Sequence, residues 1–324
     1  MDNSPYTSVW NKFWHAPLRA ERLALMRILL GSALLTQQLL EYLPNLEEFF
    51  GPHGIAPADL LDRTQLDYWY WTMLIFNTDD MTTIYTVFAI WVAVTIAFTA
   101  GFYTRIMNVS LWILTMCFLA RNAFFLDGGD DTLQVGLFLM MLSPSGRALS
   151  IDAWLRRRRG LDQGPVFTVA WPVRLIQIQL CVIYCTTGLV KLEGGLPSLD
   201  GTGWFTSTWW DGTSIHYVLN YLTMSRYSYA SLPLPLWVTA PLTYVTVWWE
   251  VLFPLLVSWR WTRKWTLAFG IVFHIGIWLT LAIGWFGFYM IAFYGVWVPC
   301  DFWERRLGRN IANPNVQSEP QPQT

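Results

Sequence analysis

"LIQIQLCVIYCTTGLVKL" (residues 175–192) is an 18-residue stretch with one ionised group, Lys191. A helix needs about 20 apolar residues to cross a bilayer's hydrocarbon core, somewhat fewer inside a bundle. The stretch therefore reads as a transmembrane helix, and it raises the question of what an ammonium does at its end. The whole chain agrees with that reading. Its 324 residues are 54% hydrophobic and only 13% charged, where soluble domains carry about 25% charged residues. Tyrosine and tryptophan, 14 and 21 of them, suit the two membrane interfaces.

Working outward, further apolar stretches place spans at about 22–43, 83–102, 106–126, 131–144, 236–258, 265–284 and 285–300, eight with the first. The segments between them alternate in charge. Lys12, Arg19 and Arg22 precede the first span, followed by a loop with Glu47, Glu48, Asp59, Asp62, Asp67, Asp79 and Asp80 against Arg63. Arg105, "RRRR" (156–159), the Arg260–Lys264 group and Arg305–Arg309 fall on one side, while "DGGDD" (127–131) and the loop with Glu193, Asp200 and Asp211 fall on the other. The positive-inside rule then puts both termini in the cytoplasm. The expected fold is an all-α, polytopic membrane protein of about eight transmembrane helices. A short N-terminal segment (1–14) precedes one membrane domain (15–304), and a polar tail (305–324) ends the chain. The first apolar run starts late and is long, so it reads as a retained span rather than a cleaved signal. "LDYWYW" (66–71) reads as part of an interfacial helix.

A net charge of −1 without a basic, aromatic-laced face argues against nucleic-acid binding. The four cysteines lie in or beside apolar runs and read as buried, inert thiols. Four histidines without HxxxH or HxH spacing give no metal site.

Charges inside spans are costly and mark candidate sites. Arg27 reads as snorkelling to the headgroups. Arg121 faces the "DGGDD" turn, so Asp127, Asp130 or Asp131 is its expected partner. Glu250 and His274 sit deep in neighbouring spans and allow a shared polar site. At about 100° per residue, Gln177, Tyr184, Gly188 and Lys191 form one polar stripe, with Thr187 at its edge. Two readings of Lys191 fit that stripe. One is a snorkelling lysine paired with Glu193; the other is an amine held out of water as a base.

Three blocks together resemble a known family. They are "RNAFFLDGGDDTLQVGLFLMMLSPSGRALSIDAW" (121–154), "RLIQIQLCVIYCTTGLVKLEGG" (174–195) with "WWDGTSIHYVL" (209–219), and "EVLFPLL" (250–256) with "KWTLAFGIVFHIGIWLTLAIGWFGFYM" (264–290). The pattern is similar to the bacterial HTTM (horizontally transferred transmembrane) family, which includes vitamin K-dependent gamma-glutamyl carboxylase. In that carboxylase a Gly-x-x-Lys-Leu-Asp segment carries the catalytic base, and "GLVKLE" places Lys191 on it. The resemblance implies that a neutral amine deprotonates a reduced, vitamin K-like quinone. O2 then adds, and the strong base so formed removes a carbon-bound proton that CO2 replaces.

Under this reading Lys191 is catalytic, and Tyr184, Gly188, Trp204 and His274 line the cofactor. Arg121, Asn122, Asp130, Asp131, Glu193, Asp211 and Glu250 give polar support. The implied partners are the lipid bilayer and a secreted or periplasmic peptide. The implied location is the bacterial inner membrane, with the site on its non-cytoplasmic side. Two departures stand beside the match: "GDDTLQVG" (129–136) lacks the carboxylase's histidine, and the resemblance does not extend to a propeptide-binding domain. A non-catalytic membrane protein serving export, maturation of or immunity to a secreted peptide is the alternative. A transporter is a third, although no inverted repeat is visible.

Overall fold

A computed structural model describes residues 5–55, 57–58, 78–121, 126–161, 164–193, 208–221, 223–227, 234–299, 302–303 and 305. The described chain is predominantly helical. Its helices are α1 (Pro5–His15), α2 (Glu21–Gln37, extended by a π-helical turn to Tyr42), α3 (Leu46–Phe50), α4 (Met81–Ala100), α5 (Thr104–Arg121) and α6 (Gly128–Met141). They continue with α7 (Ile151–Arg158), α8 (Trp171–Glu193), α9 (Ser214–Asn220), α10 (Leu236–Ser258), α11 (Arg263–Thr280) and α12 (Phe286–Phe293, followed by a 3-10 turn to Trp297). Among the described residues, four helices are long and apolar enough to cross a membrane: Glu21–Tyr42, Met81–Ala100, Trp171–Leu192 and Leu236–Ser258. Residues 66–71, expected at an interface, lie outside the described residues.

Local chemistry sets the helix ends. Asp80 accepts the backbone N–H of Thr82 and Thr83 and starts α4. That helix stops at Gly101, whose φ of 73° a side chain would resist. The "DGGDD" turn is a capping box. Asp127 accepts from Gly129 N and Asp130 N, and Asp130 reaches back to Asp127 N at 3.0 Å. Burial pushes the Asp127 carboxyl above its ordinary range.

One end of the bundle is stitched by contacts distant in sequence. Strand β1 (Pro17–Arg19) pairs antiparallel with β2 (Phe167–Val169), so α2 and α8 start side by side. Asp152 accepts from Tyr103 N and Thr104 N, which joins the α4–α5 turn to α7. Arg22 donates to Val296 O. Arg27 does not snorkel. It is fully buried and donates to Ser145 O at 2.6 Å and Leu149 O at 2.5 Å, because the 145–149 turn folds over it with its carbonyls inward. Arg19, Arg22 and Arg27 thus lie at this end with Arg174 and Arg263 beside Arg22, whereas Arg121 and Lys191 stand in the last turns of α5 and α8.

Inside, Trp91 stacks on Phe118 at 4.3 Å, and its Nε1 donates to Thr115 Oγ1. Val182, Leu189, Val190, Leu255 and Val272 point outward and exposed. An apolar exterior of this kind is what a lipid solvent selects. Cys117 is buried, whereas Cys181 and Cys185 are only half-buried, since they line a surface cleft.

Candidate functional site at the Lys191 end of α8

Gly188 decides how close α8 and α10 come. A Cβ there would sit 2.7 Å from Val251 N and 3.0 Å from Glu250 Cβ. With only hydrogen at that position, the α10 backbone seats against α8 beside Glu250, and Lys191, one turn further along α8, meets that carboxylate. Lys191 Nζ donates to Glu250 Oε1 at 2.5 Å and also to Oε2. The lysine side chain is 20% exposed and the glutamate 6%. This carboxylate comes from 59 positions along the chain rather than from adjacent Glu193. The Glu193 side chain lies outside the described residues.

Indole rings roof the pair. The Trp209 ring centroid lies 4.9 Å from Lys191 Nζ, a cation–π distance. Trp210 Nε1 donates to Leu192 O at 2.8 Å, and Tyr244 Oη donates to Trp210 O at 2.9 Å, pinning the turn over the lysine. Asp211 accepts Thr213 N and shapes that turn; it does not reach the lysine. Lys191, Trp209, Trp210, Tyr244 and Trp248 enclose a cavity of about 100 Å³.

Two turns deeper on the same face, Tyr184 Oη lies 2.6 Å from His274 Nε2 and 2.5 Å from Tyr294 Oη. The proton order runs either Tyr294 to Tyr184 to His274 or the reverse. In the first, the His274 proton sits on Nδ1, which is buried and has no hydrogen-bond partner among the described residues. Tyr184 also packs on Trp249 and Phe253, with ring centroids at 4.8 and 4.2 Å. The α8 stripe thus carries two linked features: an ion pair near its end and a hydroxyl–imidazole chain below it.

Of the residues singled out from sequence, Tyr184, Gly188, Lys191, Glu250 and His274 come together. Others do not. Arg121 pairs with Asp79 at 2.6 Å and reaches the carbonyls of Phe50 and Thr78, away from "DGGDD". Asp130 is spent in the helix cap and Asp131 is exposed. The Phe286 ring separates this cap from His274, packing 5.5 Å from the imidazole on one side and against Gly128 on the other. Asn122 and Trp204 lie outside the described residues. Sequence reading missed Tyr294 and Tyr244. A hydroxyl inside an apolar helix was the only signal for either, and it does not say which partner the hydroxyl meets.

No curated protein and no solved structure gives a significant match to this chain. A family model does: the HTTM domain matches residues 15–303, nearly the whole chain, with the Lys191–Glu250 pair and the Tyr184–His274 chain inside it. The protein is an integral membrane protein and belongs to the HTTM family.

Proposed function

We propose that the chain is an eight-span enzyme of the bacterial inner membrane, with both termini cytoplasmic, in which Lys191 acts as general base toward a reduced, lipid-soluble quinone. The basic end of the bundle meets the positive-inside rule if it faces the cytoplasm. Lys191, at the far end of α8, then opens on the non-cytoplasmic side.

The observation that carries the reading is the Lys191–Glu250 pair beneath Trp209. Moving the shared proton from Nζ to the Glu250 carboxylate leaves an amine lone pair without changing the net charge of the site. Glu250 thus holds the proton that would otherwise block the base, and the indole roof keeps water from returning it. The chemistry of the lining fits a hydroquinone: an amine for a phenolic proton, with Trp209, Trp248 and Tyr244 to lie along an aromatic ring. The volume fits only if the roof moves, because 100 Å³ holds a few waters at about 30 Å³ each. The turn at 208–213 is therefore the gate, hinged on the Trp210–Leu192 and Tyr244–Trp210 bonds.

A reduced quinone, when bound, supplies an acidic phenolic O–H and two electrons, with O2 as oxidant and CO2 as carbon source for a carboxylase-like reaction on a secreted peptide. Lys191 takes the phenolic proton: the O–H bond breaks, an N–H bond forms, and the electron pair stays on oxygen. The Tyr184–His274–Tyr294 chain lies below the pair and fixes the stripe that presents it.

The test is O2 uptake by the purified protein given a reduced naphthoquinone, read together with mass spectrometry of co-purifying lipids. Quinol-dependent uptake and a retained isoprenoid quinone support the enzyme. Neither uptake nor quinone would sink it. A second reading is favoured by the small cavity and the two-point ion pair: a non-catalytic membrane protein serving export, maturation of or immunity to a secreted peptide. In that case the pair only locks α8 to α10.

A further inference from the structure

At the other end of α8 lies a larger cleft of about 670 Å³ whose chemistry the Lys191 site does not use. Three arginines converge on it from three helices: Arg22 from α2, Arg174 from α8 and Arg263 from α11. They stand near enough to repel one another. Among the described residues, no Asp or Glu lines the cleft, and neither Arg174 nor Arg263 has a carboxylate partner.

Neutral groups hold the Arg174 and Arg263 guanidinium groups in place. Arg174 donates to Gln177 Oε1 at 2.9 Å and lies over the Phe13 ring at 4.9 Å, while its Nε is buried without a partner. Arg263 donates to Val257 O at 2.8 Å and Ser258 O at 3.0 Å. Such bonds fix the planes of Arg174 and Arg263 but, among the described residues, leave their two positive charges without a carboxylate. Like charges gathered in a partly dry cleft destabilise the protein unless an anion joins them. Beyond the arginines the wall becomes apolar along α8, through Ile178, Cys181, Val182 and Cys185, with Ile178 and Val182 exposed toward the lipid.

We infer that this cleft binds an anionic phospholipid. The phosphate sits among Arg22, Arg174 and Arg263, and an acyl chain runs along the Ile178–Cys185 face of α8. Charge complementarity selects the headgroup: guanidinium forks match phosphate oxygens in pairs, and basic pockets at helix ends are where acidic headgroups lodge. The apolar wall selects a tailed anion over free phosphate. The inference requires a membrane-embedded chain and is independent of any chemistry at Lys191.

The experiment uses the full-length protein in detergent, offered equal phosphatidylglycerol and phosphatidylcholine and read by native mass spectrometry. Retention of phosphatidylglycerol should exceed that of phosphatidylcholine about tenfold, the equivalent of one charge-assisted contact. The preference should collapse to parity in Arg174→Gln/Arg263→Gln. It should survive largely in Arg174→Lys/Arg263→Lys, which keeps the charge, and in Arg158→Gln/Arg159→Gln, which removes charge elsewhere. Peptide mapping gives a second readout: phosphatidylglycerol should slow maleimide alkylation of Cys181 and Cys185 several-fold, and only with the arginines present. Equal retention of the two lipids, or a preference that persists in the double Gln variant, overturns the proposal. So does full displacement of the lipid by inorganic phosphate, because the site would then be one for free anions.

Discussion

The two ends of α8 pose the same problem and resolve it differently. Arg174 and Lys191 are 17 residues apart, about 26 Å along the helix, and each is a cation on a helix built for lipid. At the Lys191 end the chain supplies its own carboxylate, Glu250, and closes a ring of indoles over a neutral pair. At the Arg174 end it brings two further guanidinium groups and leaves the cleft open. A site that neutralises itself can exclude water and store a proton. A site that holds two cations without a carboxylate among the described residues is suited to take an anion from outside, as proposed for this cleft. Charge within a membrane span is thus not one signal, because its meaning depends on what faces it.

The largest expected effect lies at the closed end. Glu250→Ala leaves a partly buried ammonium without its carboxylate and should cost about 3 kcal/mol, the lower end for a broken buried pair, read as a fall in the thermal midpoint in detergent. Adding Lys191→Met should recover most of the loss. If the double variant is no better than the single one, the two residues do not act as a pair. Gly188→Val comes next. Its side chain would enter the space of Val251 N, and forcing α8 from α10 should cost about 1–3 kcal/mol. It should also loosen the Lys191–Glu250 contact, visible as faster hydrogen exchange near Trp210. Tyr184→Phe removes the hydroxyl between His274 and Tyr294. Leaving those groups unpaired should cost about 1–2 kcal/mol, and Tyr294→Phe less, since Tyr184 then keeps His274. The smallest effect should be Arg174→Gln without added lipid, within about 1 kcal/mol, because relief of repulsion offsets the lost Phe13 contact. A fall as large as that of Glu250→Ala would erase the contrast between the two ends.

The helices were legible in sequence because hydropathy and turn residues act locally. The span placed at 236–258 coincides with α10, and those placed at 22–43 and 173–192 differ from α2 and α8 by a residue or two. The polar face of α8 was also legible, since Tyr184, Gly188 and Lys191 follow helical spacing. Partners were not. Periodicity says which way a side chain points but not which helix it meets. Glu250 had no local partner in sequence and found Lys191 only because Gly188 lets two backbones touch. Arg121 chose Asp79 over a nearer acidic turn because Asp127 and Asp130 were already committed to capping α6. Arg27 read as snorkelling because the carbonyls that bury it belong to a turn more than a hundred residues away. The pairing of β1 with β2 carried no signal at three residues each.

The most direct measurement compares quinol-dependent O2 uptake by the purified wild-type protein with that of Lys191→Met, both offered the same reduced naphthoquinone. A base at Lys191 should make the variant at least a hundredfold slower while its thermal midpoint stays measurable and its phosphatidylglycerol preference stays intact. Equal rates in the two proteins would contradict the assignment and leave the Lys191–Glu250 pair as a structural lock.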